Sequence, residues 1–171
     1  ADHNIHGGSL NYSLSSKDYK HRLNVYSSIQ NIGRESYYGA RRDTNAYGKT
    51  KDFTVVGGAQ YSYDFDNFLF MPSSLTAGVE YSYNKLNDLM LGYHREINQE
   101  VFVYSAYLQN EWKTGRFSFL LGGRLDKNSE IDDPIFSPRL NIRYNPIPDL
   151  SLRASYSEGF RAPQTYDEDL H

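Results

Sequence analysis

The stretch "SPRLNIRYNPIPDLSLRASYSEGFRAP", Ser137 to Pro163, alternates apolar and polar residues with one interruption. Leu140, Ile142 and Tyr144 take every second place, with Arg139, Asn141 and Arg143 between them. After Pro146–Asp149 the alternation resumes as Leu150, Leu152, Ala154 and Tyr156 against Ser151, Arg153 and Ser155. A period of two marks a strand with one apolar and one polar face. Six earlier segments repeat the pattern. Leu10, Tyr12 and Leu14 oppose Asn11 and Ser13 in the first, near Asn4 to Leu14. His21–Gln30 sets Leu23, Val25 and Ile29 against Arg22, Asn24 and Tyr26, and Asp52–Phe65 sets Phe53, Val55, Ala59, Tyr61, Tyr63 and Phe65 against Thr54, Gln60, Ser62 and Asp64. In the fourth, Leu75, Ala77, Val79, Tyr81 and Tyr83 oppose Thr76, Glu80, Ser82 and Asn84. Val101–Trp112 is phased with Phe102, Tyr104, Ala106, Leu108 and Trp112 on the apolar face, and the sixth with Phe117, Phe119, Leu121 and Leu125. No helical pattern of useful length occurs. The fold class is all-β, an antiparallel meander of about eight strands.

The connections sharpen this reading. Ser15–Lys20, Asp66–Ser73, Lys113–Arg116 and Asn145–Asp149 are short and rich in turn formers. Asn31–Lys51, Lys85–Glu100 and Lys127–Ile135 are generally longer and more polar. A meander places all the short turns at one end and all the long loops at the other, which is the layout of a bacterial outer-membrane barrel. Aromatic residues concentrate near both ends of the apolar face: Tyr12, Phe65, Trp112, Phe117 and Tyr144 by the short turns, Phe53, Tyr83, Phe102, Phe136 and Tyr156 by the long loops. Two such girdles flank the lipid-facing band of a transmembrane barrel. The other face carries Arg22, Glu80, Glu111, Arg124, Asp126, Arg139, Arg143 and Arg153. Charges are costly to bury unpartnered and inexpensive in a hydrated lumen, so lipid is expected on one face and a wet interior on the other. Acidic partners on neighbouring strands or inside the lumen are expected to neutralise the arginine ladder.

Composition excludes some classes. With 171 residues and a net charge of -3 the chain has no general basic footprint for nucleic acid. It contains 16 Tyr, a residue suited both to strands and to membrane interfaces, and no Cys, so neither disulfides nor thiolate metal sites exist. No signal peptide is visible, and no apolar run approaches a membrane helix. None of the five His forms a zinc-binding pair of helical spacing, and no nucleophile elbow or phosphate loop is present, so no enzyme, cofactor or metal site is expected.

At "LSLRASYSEGFRAP" the residues resemble a known family. The box Gly159, Phe160, Arg161, Ala162 and Pro163 looks like the strand-and-loop box of TonB-dependent outer-membrane receptors. "VYSAYLQNEW" followed by "FSFLLGGRLD" resembles the hairpin preceding it there, with Gln109, Asn110, Glu111, Gly122, Gly123, Arg124 and Asp126 in the family's places. The resemblance implies a 22-stranded barrel, a plug domain inside it, energy from TonB and residence in the outer membrane. On it, residues 1–171 are expected to be part of the barrel, with plug and remaining strands elsewhere. The parent would import a scarce nutrient: a ferric siderophore, haem, cobalamin or a glycan. Candidate ligand contacts are Tyr37, Tyr38, Arg41 and Arg42 in one long loop and Tyr93, His94 and Arg95 in another, since aromatic rings with arginine recognise planar anions. Haem receptors of the family carry a His after a similar box, which makes His171 a candidate iron ligand. Two other readings are open: a complete eight-stranded outer-membrane protein with an adhesive or structural role, and a soluble Tyr-rich carbohydrate-binding domain.

Overall fold

The computed structural model describes residues 2–37 and 47–159. Its strands are β1 (Asp2–Ser15), β2 (His21–Tyr37), β3 (Tyr47–Phe68), β4 (Met71–Met90), β5 (Arg95–Lys113), β6 (Phe117–Asn128), β7 (Ile135–Ile147) and β8 (Leu150–Ser157). They form one sheet in chain order, every neighbouring pair antiparallel. Among the described residues β1 does not pair with β8, so the sheet is open rather than closed into an eight-stranded barrel.

Register keeps each face uniform across the sheet. The pairs Leu23–Tyr61, Tyr61–Ala77, Ala77–Leu108, Leu125–Phe136 and Leu140–Tyr156 place apolar side chains on one side throughout. Among the described residues no second layer covers them. Among the described residues Trp112 is the one buried hydrophobic, while Leu10 is 70% and Val79 57% exposed. A soluble sheet of this size hides such a face under helices or a second sheet.

Aromatic belts bound the apolar band. At the short-turn end His21, Tyr63, Phe65, Phe68, Trp112 and Phe119 follow one another with ring centroids 4.5–6.3 Å apart. The Trp112 indole N–H donates to the Phe68 carbonyl at 3.0 Å. At the other end Phe53 meets Tyr83 at 6.3 Å and Tyr81 meets Tyr104 at 5.0 Å. Beyond Phe53, Tyr83 and Phe102 the same face turns charged, with Lys51, Lys85 and Glu100. From Phe53 to Tyr63 is about ten residue steps, ~34 Å along the strand and ~25 Å across a membrane once a tilt of ~40–45° is applied.

The strands run well past this band, which corrects the expected loops. Most of Asn31–Lys51 and Lys85–Glu100 is strand: β2 continues to Tyr37, β3 begins at Tyr47, and β4 and β5 join through a 3-10 turn at Leu91–Tyr93. The short connections hold as turns. In the first of them Asp18 accepts the Ser16 hydroxyl and the Lys20 N–H, and these bonds hold its carboxyl below the usual carboxylate range.

Candidate functional site

The polar face carries a network centred on Arg124. Its Nη2 donates to Glu80 Oε1 at 2.9 Å and to Ser105 Oγ at 2.7 Å, while its Nε donates to Asp126 Oδ1 at 2.8 Å. Tyr26 donates to the second Glu80 oxygen at 2.5 Å, and Tyr107 donates to Gln60 Oε1 at 2.8 Å. Five strands, β2 to β6, are thereby tied together above their backbone ladder.

Two glycines make the ties possible. Tyr26 pairs in register with Gly58, and Tyr107 with Gly78. A Cβ at Gly58 would lie 2.6 Å from the Tyr26 ring, and one at Gly78 would lie 2.3 Å from that of Tyr107. Each ring lies across a strand without a side chain and reaches a partner one strand further on. Next to them a groove of about 400 Å³ opens, lined by Gln60, Glu80, Tyr107, Gln109, Arg124 and Arg139 among others. Tyr26, Gln60, Ser105 and Tyr107 were not expected from the sequence as site residues. The available signal was a tyrosine of the polar face directly opposite a glycine.

The charged residues expected on the polar face all share it, in register. Neutralisation by neighbouring strands holds for part of the ladder. Arg22 binds Asp64 through two bonds, 2.5 and 2.9 Å long, and Arg124 binds Glu80 and Asp126. Glu111 accepts the Ser118 hydroxyl at 2.7 Å. Arg139, Arg143 and Arg153 form no ion pair within 4.0 Å among the described residues, so at that end of the sheet the described neighbouring strands supply no acidic partner. Arg143 and Arg153 pair directly across β7 and β8, and the buried Nε of Arg143 has no acceptor among the described residues.

The ligand candidates gather at the long-hairpin end where they are described. Tyr37 pairs in register with Tyr47, their rings 4.9 Å apart. His94 is exposed, with a left-handed φ of 50° just after the 3-10 turn, and Arg95 opens β5. The side chain of Tyr93 is not described, and Tyr38, Arg41, Arg42, Phe160, Arg161, Ala162, Pro163 and His171 lie outside the described residues. Gly159 ends the described chain, exposed and with open space around it. Among the described residues no group of three His, Asp or Glu could hold a metal ion.

Replacing Arg124 by Leu leaves Glu80 and Asp126 without their cation. The two carboxylates are 26% and 21% exposed and Arg124 is 38% exposed. The expected loss is therefore about 1–2 kcal/mol, below the 3–5 kcal/mol of a fully buried broken pair. Urea unfolding in detergent micelles measures it, and Glu80→Gln in the same background should recover part of the loss.

Comparison with known proteins agrees with this architecture. The sequence family described as "TonB dependent receptor-like, beta-barrel" matches residues 1–170. No curated protein matches. A mutant of the ferric enterobactin receptor PfeA from Pseudomonas aeruginosa aligns with 96% of this chain and 26% of its own, at TM-score 0.72 and 17% identity. FpvA of P. aeruginosa, bound to a pyoverdine–iron complex, aligns over 88% of this chain and 26% of its own, at TM-score 0.68 and 12% identity. The unliganded ferric citrate transporter FecA aligns over 90% of this chain and 27% of its own, at TM-score 0.54 and 16% identity. The chain spans about a quarter of the length of these structures. A bare apolar band between aromatic belts, a charged opposite face and the family match over nearly every residue agree: the chain belongs to the TonB-dependent receptor family, as part of its β-barrel.

Proposed function

We propose that these strands form part of the wall of an outer-membrane receptor that imports a ferric siderophore, with its plug domain and TonB-driven energy supply borne by or acting on the rest of the parent. The observation that carries this reading is the two-faced sheet: ~25 Å of apolar surface left uncovered by the described residues on one side and a charged face, networked from β2 to β6, on the other. The apolar band faces outer-membrane lipid. The polar face, with Arg22, Glu80, Glu111, Arg124, Asp126, Arg139, Arg143 and Arg153, faces a hydrated lumen.

The ferric-chelate cargo is supported by the neighbours' own cargoes, which are ferric enterobactin, a pyoverdine–iron complex and ferric citrate by their descriptions. Capture belongs to the tall hairpins above the band, where Tyr37, Tyr47, His94 and Arg95 lie. An aromatic pair and an arginine at the same end of the sheet suit an anionic chelate, through ring contacts and charge-assisted hydrogen bonds. The mechanism then has two parts. The hairpins concentrate the chelate at the mouth, and a rearrangement of the plug opens a path along the charged wall.

The test is radio-iron uptake by cells whose full-length parent gene is deleted and then restored. Uptake of a ferric siderophore that disappears on deletion, returns on restoration and requires TonB supports the reading. Unchanged iron uptake with lost uptake of haem or cobalamin would move the cargo to that compound. Loss of none of them removes the transport reading.

A further inference from the structure

The turn that joins β3 to β4 departs from the usual chemistry of a two-residue hairpin. Such turns favour Asn-Gly, Asp-Gly or a leading Gly, because the chain must enter the left-handed region. Here Leu69 and Phe70 make the turn, and Leu69 has a φ of 67°. The Phe70 N–H donates to the Phe68 carbonyl two residues back at 3.0 Å, which closes a γ-turn of the positive-φ, strained kind. The Trp112 indole donates to that same carbonyl and pins the turn. The rings of Phe68 and Phe70 lie nearly parallel to Trp112, at 6.3 and 5.6 Å. Trp112 stands on the apolar face, in register with Phe119, so the turn folds back onto that side of the sheet. Covering Trp112 accounts for only part of this. Phe70 is still 60% exposed, and Leu69 is 76% exposed. The neighbouring turn between β1 and β2 repeats the feature, with Tyr19 at a φ of 58° and 73% exposed. The two turns are tied together: the Asp64 N–H donates to the Lys20 carbonyl at 2.9 Å, and Lys20 pairs with Asp66.

Backbone preference selects neither Leu69 nor Tyr19 for these places, since bulky side chains are outliers at positive φ. A contact outside the described sheet accounts for them. Three side chains fall far short of the roughly 800 Å² per partner that a stable protein interface buries. A lipid surface sets no such threshold, because each apolar side chain gains on its own as it leaves water. The tips also continue the lipid-facing band, since Phe70 rests on its belt residue Trp112. Tyrosine and leucine are residues that seat in the boundary between headgroups and acyl chains. Resting on the membrane reading above, we propose that Leu69, Phe70 and Tyr19 form a foot seated in the phospholipid leaflet at the short-turn end. The two turns then do more than reverse the chain. They fix the depth at which β1 to β4 sit in the bilayer.

Fluorescence quenching in the full-length parent tests this. A fluorophore is attached through Asn67→Cys, an exposed position beside the turn, or through Val79→Cys in the middle of the apolar band. The protein is reconstituted in phosphatidylcholine vesicles that carry a nitroxide near the headgroup or at mid-chain, and iodide probes access from water. The expected result is quenching at position 67 by the shallow nitroxide more than by iodide, and at position 79 by the mid-chain nitroxide. Leu69→Asn with Tyr19→Asn should lower the shallow quenching about twofold, while Leu69→Met with Tyr19→Phe keeps it. Asparagine is at ease at positive φ, so a turn that only closed its hairpin would respond to neither pair. Position 67 quenched by iodide alone overturns the inference and, with position 79 still in lipid, leaves the membrane reading intact. Shallow quenching indifferent to the asparagine pair overturns it too. Shielding from iodide that rises with the protein-to-lipid ratio assigns the tips to a second copy. Shielding found in native outer-membrane fragments but not in vesicles assigns them to a protein partner. No mid-chain quenching at position 79 removes the membrane reading and this inference with it.

Discussion

Arginine in place of Val79 is expected to cost the folded barrel about 2–4 kcal/mol, a shift of roughly 30- to 1000-fold in the folded-to-unfolded ratio. Val79 is the midpoint of the apolar run on β4 that begins at Leu75 and ends at Tyr83. Its register partners, Ala59 on β3 and Ala106 on β5, are small, so the side chain is 57% exposed on the apolar face. In a bilayer that exposure is to hydrocarbon, and an arginine there lies farthest from either interface, where snorkelling helps least. Ser28→Arg supplies the contrast. It adds the same side chain at an exposed position of the other face, where water solvates it, and a change within about 0.5 kcal/mol is expected. Urea unfolding of the full-length parent in lipid vesicles separates the two. Equal tolerance of both substitutions would mean that no lipid covers the band around Val79, and the membrane assignment would fall.

Much of the fold was legible because a period of two is a strong signal wherever one face is apolar. Register later placed every phased segment as expected, including Val101–Trp112, whose polar side also holds Tyr107. Legibility failed above the band. Along Glu35, Lys49, Lys51, Lys85, Asn87, Glu96, Asn98 and Glu100 the formerly apolar face becomes charged or polar, so alternation vanishes although the backbone ladder continues. Hydrophobic pattern reports what surrounds a strand. It does not report the hydrogen bonds that make one. The expected long loops were therefore mostly paired strand.

The candidate site was legible by face but not by partner. Arg124, Glu80 and Asp126 could be assigned to one side from parity alone. That Arg124 reaches Glu80 two strands away, over Ser105, requires the registers of β4 with β5 and β5 with β6 together. The same limit hid the direct pairing of Arg143 with Arg153, which depends on how β7 and β8 realign after the irregularity between Tyr144 and Ile147.

Gly122→Val is expected to destabilise by about 1–3 kcal/mol, with a smaller loss at Gly78→Ala and almost none at Gly8→Ala. A Cβ at position 122 would meet Gln109 Cβ at 2.6 Å, the Leu108 carbonyl at 3.0 Å and Gln109 Cα at 3.1 Å. None of these atoms can swing aside, so β5 and β6 must separate locally. At Gly78 the nearest atoms are the far end of the Tyr107 ring, which can rotate away at the expense of its bond to Gln60, about 1 kcal/mol. At Gly8 nothing lies within 4 Å. Thermal melts of the three variants in micelles test the order, and equal losses at Gly8 and Gly122 would refute the contact argument. The order also explains the stretch "LLGGRLD". Gly122, Arg124 and Asp126 fall on the polar face, while Gly123 faces the apolar side, where the Phe136 ring covers it and a Cβ would lie 2.6 Å away. Gly122 keeps β6 close against β5, Arg124 crosses to Glu80, and Asp126 holds the guanidinium from its own strand. Spreading β5 from β6 at Gly122 would lengthen the reach from Arg124 to Glu80, so Gly122→Val should also weaken the coupling between Arg124 and Glu80 in a double-mutant cycle, whereas Gly8→Ala should leave it unchanged.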